Sequence, residues 1–209
     1  MEKDKYIEDI DSLYVSKTAM KYLTKSQGEY TVDDYYALPD DVRVELIDGV
    51  IYDMTAPYTD HQIITGYIYA TLYNHVKKNK GACKVFTAPV DVQLNRDNRT
   101  MLQPDVFAIC NKDILTKKNI FGAPDFILEV LSKSTRNKDM VIKLNKYSDA
   151  DVKEYWMIDI DKQLVHTYDF ANNSYVAKTF GESHFITFFE VPCMIDFKDM
   201  YQDLLSYYE

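Results

Sequence analysis

The 209-residue chain predicts an α/β (α+β) fold, a mixed central β-sheet flanked by helices with an N-terminal β-hairpin and extra C-terminal strands. Three observations predict it. Asp48-Gly49 sits between two short apolar alternations, which is a two-residue hairpin signal. Apolar residues between Asp60 and Lys80 recur at helical spacing. Phe126-Ile127-Leu128-Glu129-Val130-Leu131 is a nearly continuous apolar run, suited to a buried central strand, with a helical stretch after it.

In chain order, residues 1–29 mix charges with a loosely helical set (Ile10, Leu13, Tyr14, Ala19, Leu23) and read as an extension. Patterning is continuous from Tyr30, so residues 30–209 are expected to form one domain. Thr31 followed by Asp34 resembles a helix N-cap, and Pro39 stops the short helix. Val42, Val44 and Leu46 alternate with polar residues, and Val50 to Met54 returns as the partner strand. Ile63, Ile64, Tyr67, Ile68, Leu72 and Val76 form one face of a long helix that Gly81 ends. Three β segments follow, Lys84 to Leu94, Gln103 to Cys110 and Asp125 to Leu131, then a helix over about Thr135 to Ser148. Glu154 to Asp159, Leu164 to Phe170, Tyr175 to Phe180 and Phe185 to Phe189 are aromatic and β-branched enough to be strands. A last helix covers about Lys198 to Tyr207.

Composition narrows the function. With 46% hydrophobic residues and only 6 Gly and 6 Pro, the chain is globular rather than disordered or low-complexity. No apolar run approaches the roughly 18 residues of a membrane span, and the N-terminus lacks a signal-like stretch, so a cytoplasmic protein with no membrane partner is expected. Cys83, Cys110 and Cys193 stand far apart without a Cys-x-x-Cys pair, so neither a disulfide framework nor a structural zinc site is expected. A formal charge of −9 disfavours broad nucleic-acid binding, and any phosphate-binding surface must be local.

Charge inside predicted strands is the informative feature. Glu129 lies within an apolar strand, and Asp105 begins another after Pro104; a buried carboxylate is costly unless paired or bound to a cation. Carboxylates converging from adjacent strands can hold a hard cation such as Mg²⁺, which polarises a phosphodiester and lowers the pKa of an attacking water. The competing reading makes Asp105 a turn cap and Glu129 a half-exposed strand residue. Lys143, on the helix after the Glu129 strand, can swing an ammonium toward the strand ends or lie on a solvated face beside Lys138 and Lys146. Glu45 on the hairpin is a further ligand or a solvent-facing residue. His61, at the start of the long helix, is a surface residue or a phosphate contact. Lys133, Arg136 and Lys146 complete a local basic cluster where a phosphate backbone would approach.

Taken together, Glu45-Leu46-Ile47-Asp48-Gly49-Val50-Ile51-Tyr52-Asp53-Met54, Pro57 with His61, Pro104-Asp105-Val106, Leu128-Glu129-Val130-Leu131-Ser132, Lys143 with Tyr147, and Val152-Lys153-Glu154-Tyr155-Trp156 resemble the Uma-two family of restriction-endonuclease-like proteins, within the PD-(D/E)XK nuclease superfamily. The resemblance spans roughly Tyr30 to Phe189. It implies a restriction-endonuclease-like core and an endonuclease that binds Mg²⁺, with Mn²⁺ as a substitute, and hydrolyses DNA. It makes Asp105 and Glu129 metal ligands, the Val130 backbone carbonyl a third, and Glu45 a further acid of the site. The position two after Glu129 is Leu131 where the superfamily motif has lysine. Lys143 is the matching residue in this family, and Lys133 is nearer in sequence. A homodimer fits nucleases that cut both strands. A non-catalytic nucleic-acid-binding or protein-interaction module on the same fold is the competing expectation.

Overall fold

The computed structural model describes residues 19, 21–133 and 135–209. Most of the helical set predicted near the N-terminus, Ile10, Leu13 and Tyr14, lies outside the described residues. Ala19 and Leu23 pack with Tyr30, Val32, Val44, Leu46, Ile51 and Met101 in a small apolar cluster around the hairpin. Helix α1 (Val32–Ala37) starts with the predicted cap: Thr31 and Asp34 exchange side-chain and backbone hydrogen bonds in a capping box. Strands β1 (Val44–Ile47) and β2 (Val50–Asp53) follow. Asp48 and Gly49 both have positive φ, 52° and 82°, as a type I′ hairpin turn requires. A Cβ on Gly49 would lie 2.6 Å from the Gly28 carbonyl oxygen, so this turn admits only glycine there.

Helix α2 (Thr59–Lys78) leads to β3 (Lys84–Thr87), β4 (Val92–Gln93), β5 (Val106–Ile109), β6 (Ile120–Phe121) and β7 (Phe126–Leu131). A π-helical segment, Lys138–Lys143, runs directly into α3 (Leu144–Asp149). The chain ends with β8 (Glu154–Asp159), β9 (Leu164–Asp169), β10 (Ser174–Thr179), β11 (Ser183–Ile186), β12 (Cys193–Asp196) and α4 (Phe197–Ser206). The main sheet has six strands in the order β10-β9-β8-β7-β5-β3, with β7 and β8 parallel and the other neighbours antiparallel. It is the mixed sheet that the sequence predicts. No described helix is long and apolar enough to cross a membrane.

The strand period of two divides the core. Phe126, Leu128 and Val130 of β7, with Trp156 and Ile158 of β8, face α2 and α4 and meet Ile64, Ile68, Leu72, Phe197 and Met200. Ile127 and Leu131, with Tyr155 and Met157, face the opposite layer and meet Phe107, Tyr147 and Ile47. Glu129 therefore shares its face with Ile127 and Leu131.

Three details differ from the sequence reading. The segment Lys84 to Leu94 is two strands, because Pro89 cannot donate to a ladder and β4 leaves the main sheet to pair with β6. The segment Phe185 to Phe189 is a strand only to Ile186, and β11 pairs with β12, which the pattern had not signalled. The Glu154 carboxylate accepts hydrogen bonds from the Thr187 N–H (2.6 Å), the Thr187 hydroxyl (2.8 Å) and the Phe188 N–H (2.9 Å), which pulls the chain off the strand. The cysteine expectation is also corrected. Cys83 and Cys110 form a disulfide, because they lie one step beyond the Lys84↔Ile109 pair of β3 and β5 and so face each other; Cys193 is free and buried.

Leu128 has no exposed surface and sits where β7 meets α2. Leu128→Ala is expected to lower the unfolding free energy by about 2–5 kcal/mol in urea titrations, through lost burial and an uncollapsed cavity.

Candidate active site

Register decides where the strand carboxylates go. Val106 pairs with Leu128 in the antiparallel β5–β7 ladder, so one further step sets Asp105 opposite Glu129. The Ala88 N–H donates to the Asp105 carbonyl, which turns the peptide groups of Asp105 toward β3, away from β7. Asp105 and Glu129 follow the last pair of this ladder, Val106↔Leu128, and the Asp105 carboxylate adds to the upward push on Glu129. Like charges directly opposite each other are destabilising, so this pairing requires a compensating positive charge.

One step further, Val130 faces Pro104. The Val130 N–H donates to Asp105 Oδ2 at 2.7 Å. Its carbonyl points to the same strand edge, where proline has no N–H to offer. His61, in the first turn of α2, brings Nε2 to 3.0 Å from Asp105 Oδ2.

Lys143 enters from the other layer. Its Nζ lies 2.8 Å from Glu129 Oε1, 2.8 Å from Glu45 Oε1 and 3.4 Å from Asp139 Oδ1. One ammonium is thus ion-paired with three carboxylates, the hydrogen bond going to Glu129. The Tyr147 hydroxyl donates to Glu129 Oε1 at 3.0 Å, and Lys138 Nζ holds the other Glu45 oxygen at 2.7 Å. Glu45, Glu129, Asp139 and Lys143 are all buried. Alternation put Glu45 on the outward face of the hairpin. That face is covered as well, since all four β1 residues are buried: Val44 and Leu46 under the hairpin cluster, Ile47 against the main sheet.

Electrostatics follow from this packing. Burial disfavours ionisation of Glu45, but Lys143 and Lys138 outweigh it and hold its carboxyl at about 2. Burial pushes Glu129 well above the usual carboxylate range; the pull of Lys143 opposes this, and the carboxylates of Asp105, Asp139 and Glu45 add to it. Burial works against the Lys143 charge, yet Glu129, Glu45 and Asp139 keep its ammonium well above the ordinary lysine value. Glu129 is accordingly the least willingly ionised acid beside a permanently charged lysine.

The rest of the predicted basic cluster is turned elsewhere. The Arg136 guanidinium is paired with Asp159 at the end of β8 and lies 3.7 Å from Asp161. Lys146 binds Asp48 at the hairpin turn at 2.5 Å, and Lys133 is exposed. The site also contains Asp139, which the sequence reading passed over, along with Lys138 of the predicted basic cluster and Tyr147 of the family resemblance. Asp139 was findable from its four-residue spacing to Lys143, which puts the two on one helix face. Among the described residues, no three Asp, Glu, His or Cys side chains already converge at metal-ligand spacing.

Residues 32–189 match the family described as Uma2, putative restriction endonuclease. The chain belongs to the Uma2 family. Every residue of the cluster, from Glu45 to Tyr147, falls inside the matched span. The crystal structure of a putative nuclease belonging to DUF820 from Anabaena variabilis ATCC 29413 superposes with a TM-score of 0.66 at 20% identity, over 83% of this chain and 98% of that one. At that identity the likeness concerns the fold, and it extends over nearly the whole of the other chain. No curated protein matches the chain.

The Glu45 carboxyl has a folded value of about 2 against an ordinary 4.5, so its contribution to stability is complete above pH 4.5 and is lost as pH falls toward 2. Urea unfolding followed from pH 6 to pH 2.5 is expected to show this decline in the wild-type chain and a flatter profile in Glu45→Gln.

Proposed function

We propose that this Uma2-family chain is a metal-dependent endonuclease that hydrolyses DNA phosphodiester bonds. The observation carrying the reading is the hydrogen bond from the Val130 N–H to Asp105 Oδ2, which brings the Asp105 carboxylate beside the Glu129–Val130 stretch of the adjacent strand, just past the Val106↔Leu128 pair. Electrostatics support it. Burial and the neighbouring carboxylates of Asp105, Asp139 and Glu45 push Glu129 up, and a bound cation would offset both and favour its ionised form. Asp105 Oδ1 and Glu129 Oε2 accept no hydrogen bond from the described residues, so each carboxylate keeps an oxygen for such an ion. All of these donors are oxygen atoms, the ligand type that Mg²⁺ and Mn²⁺ prefer.

Asp105, Glu129 and the Val130 carbonyl would hold the cation. When bound, it supplies Lewis acidity toward a phosphoryl oxygen and a water of lowered pKa. The protein's own part is orientation and charge. Lys143 remains an ammonium, stabilises negative charge developing on the phosphate, and fixes Glu129 through Oε1. Tyr147 donates to the same Oε1 and so helps to fix the Glu129 carboxylate. Glu45 takes no part in proton transfer, because a carboxyl at about 2 is ionised throughout the working range; it anchors both lysines. His61 holds Asp105 Oδ2 from the helix layer and fixes the carboxylate plane.

Supercoiled DNA incubated with Mg²⁺ or Mn²⁺ is expected to be nicked by the wild-type chain and spared with EDTA. Glu129→Gln should reduce the rate by more than the ~10–100-fold that supporting residues of a metal site command. Absence of cleavage on supercoiled, linear and single-stranded DNA, together with absence of calorimetric Mg²⁺ binding, would reject the nuclease in favour of a non-catalytic module.

A further inference from the structure

The π-helical segment Lys138–Lys143 joins two lysines to one carboxylate. Lys138 reaches Glu45 Oε2 at 2.7 Å, and Lys143 reaches Glu45 Oε1 at 2.8 Å. These lysines are five residues apart, which in an α-helix sets side chains about 140° around the axis. The i→i+5 bonding of a π turn brings positions five apart into line, so the widened turn is what makes the double contact possible. The two ammonium groups are nonetheless used differently. Lys143 hydrogen-bonds Glu129, forms ion pairs with Glu45 and Asp139 as well, and has a side chain only 4% exposed. Lys138 has Glu45 as its one carboxylate partner among the described residues, lies 5.6 Å from the centre of the Tyr52 ring, and is the more open of the two at 11%. It therefore keeps N–H groups to offer at the rim of the cluster. Arg136 and Lys146, two other cations of the predicted basic cluster, are committed to Asp159 and Asp48.

From this geometry we infer that Lys138 is the phosphate-binding residue of the site, taking a non-bridging oxygen of the DNA backbone while Glu45 fixes its stem. The inference rests on the nuclease reading for the identity of the ligand and deepens it by naming the contact. Charge supports the assignment. Lys138 is one of two ammonium groups among Glu45, Glu129 and Asp139, and losing its charge would make the site more negative toward an anionic substrate. An ammonium on a flexible stem also suits a phosphate met as a point charge.

The test is binding of a 20-base-pair DNA duplex to the full chain in Ca²⁺ across a salt series, for wild type, Lys138→Met and Lys138→Arg. Loss of one phosphate contact should weaken binding ~5–10-fold at low salt and reduce the slope of log affinity against log salt by about 0.9, with arginine retaining both. Lys138→Gln replaces the methionine variant if that chain fails to fold by circular dichroism. An unchanged slope, with or without weaker binding, would overturn the inference, since a purely structural lysine alters stability without altering counterion release. Failure of the wild-type chain to bind the duplex would overturn it too. Cleavage with Mg²⁺ is scored separately: a Lys138-dependent slope in a chain that does not cut keeps this inference and removes the nuclease.

Discussion

Lys143 gathers carboxylates from three parts of the chain: Glu45 from the hairpin, Glu129 from the central strand, and Asp139 from its own helical segment. Each of those acids is buried, and a buried charge without a partner is worth several kcal/mol of instability. The hairpin, the sheet and the π turn must therefore meet at this ammonium. Everything else at the site is arranged around that requirement. Lys138 takes the second oxygen of Glu45, Tyr147 shares Glu129 with Lys143, and the Tyr155 hydroxyl donates to the Asp139 carbonyl. The network fixes the orientation of Glu129 before any ligand arrives, which is the preorganisation that electrostatic catalysis depends on.

A second constraint comes from the sheet. A strand places alternate side chains on opposite faces, and an antiparallel ladder fixes which residues oppose each other. With Val106 opposite Leu128, Asp105 and Glu129 have no freedom to separate unless the register slips, and a slip would expose the apolar face of β7. The packing of Phe126, Leu128 and Val130 against α2 and α4 thus holds two like charges together on the far side of the same strands.

Much of this was readable in the sequence, for identifiable reasons. The Asp-Gly turn, the Thr31 cap and the long helix rest on local signals, and all three stand in the structure. Glu129 announced itself because an acid inside an apolar run contradicts its surroundings. Glu45 did not, because alternation shows which face a residue takes but not that both faces of a hairpin are covered. The Cys83–Cys110 pair was invisible for a similar reason: its proximity arises from strand register 27 residues apart in sequence. The π turn leaves no trace in hydrophobic periodicity, so the sequence placed Lys138 in the basic cluster without showing that it would pair with Glu45. Arg136 and Lys146 looked like a phosphate surface because their partners, Asp159 and Asp48, lie far along the chain.

The alternation of β7 has a consequence for how this chain can change over time. Phe126, Leu128 and Val130 look into one layer, while Ile127, Glu129 and Leu131 look into the other. Neighbouring codons on one strand therefore answer to different selective pressures. The helix-facing set can drift among apolar residues of similar volume, provided that the sheet stays covered, without touching the charged cluster. The opposite set is tied to a lysine and three acids drawn from distant segments, so any replacement there must be matched at several places at once. One six-residue strand thus carries a tolerant register and an intolerant one, interleaved residue by residue.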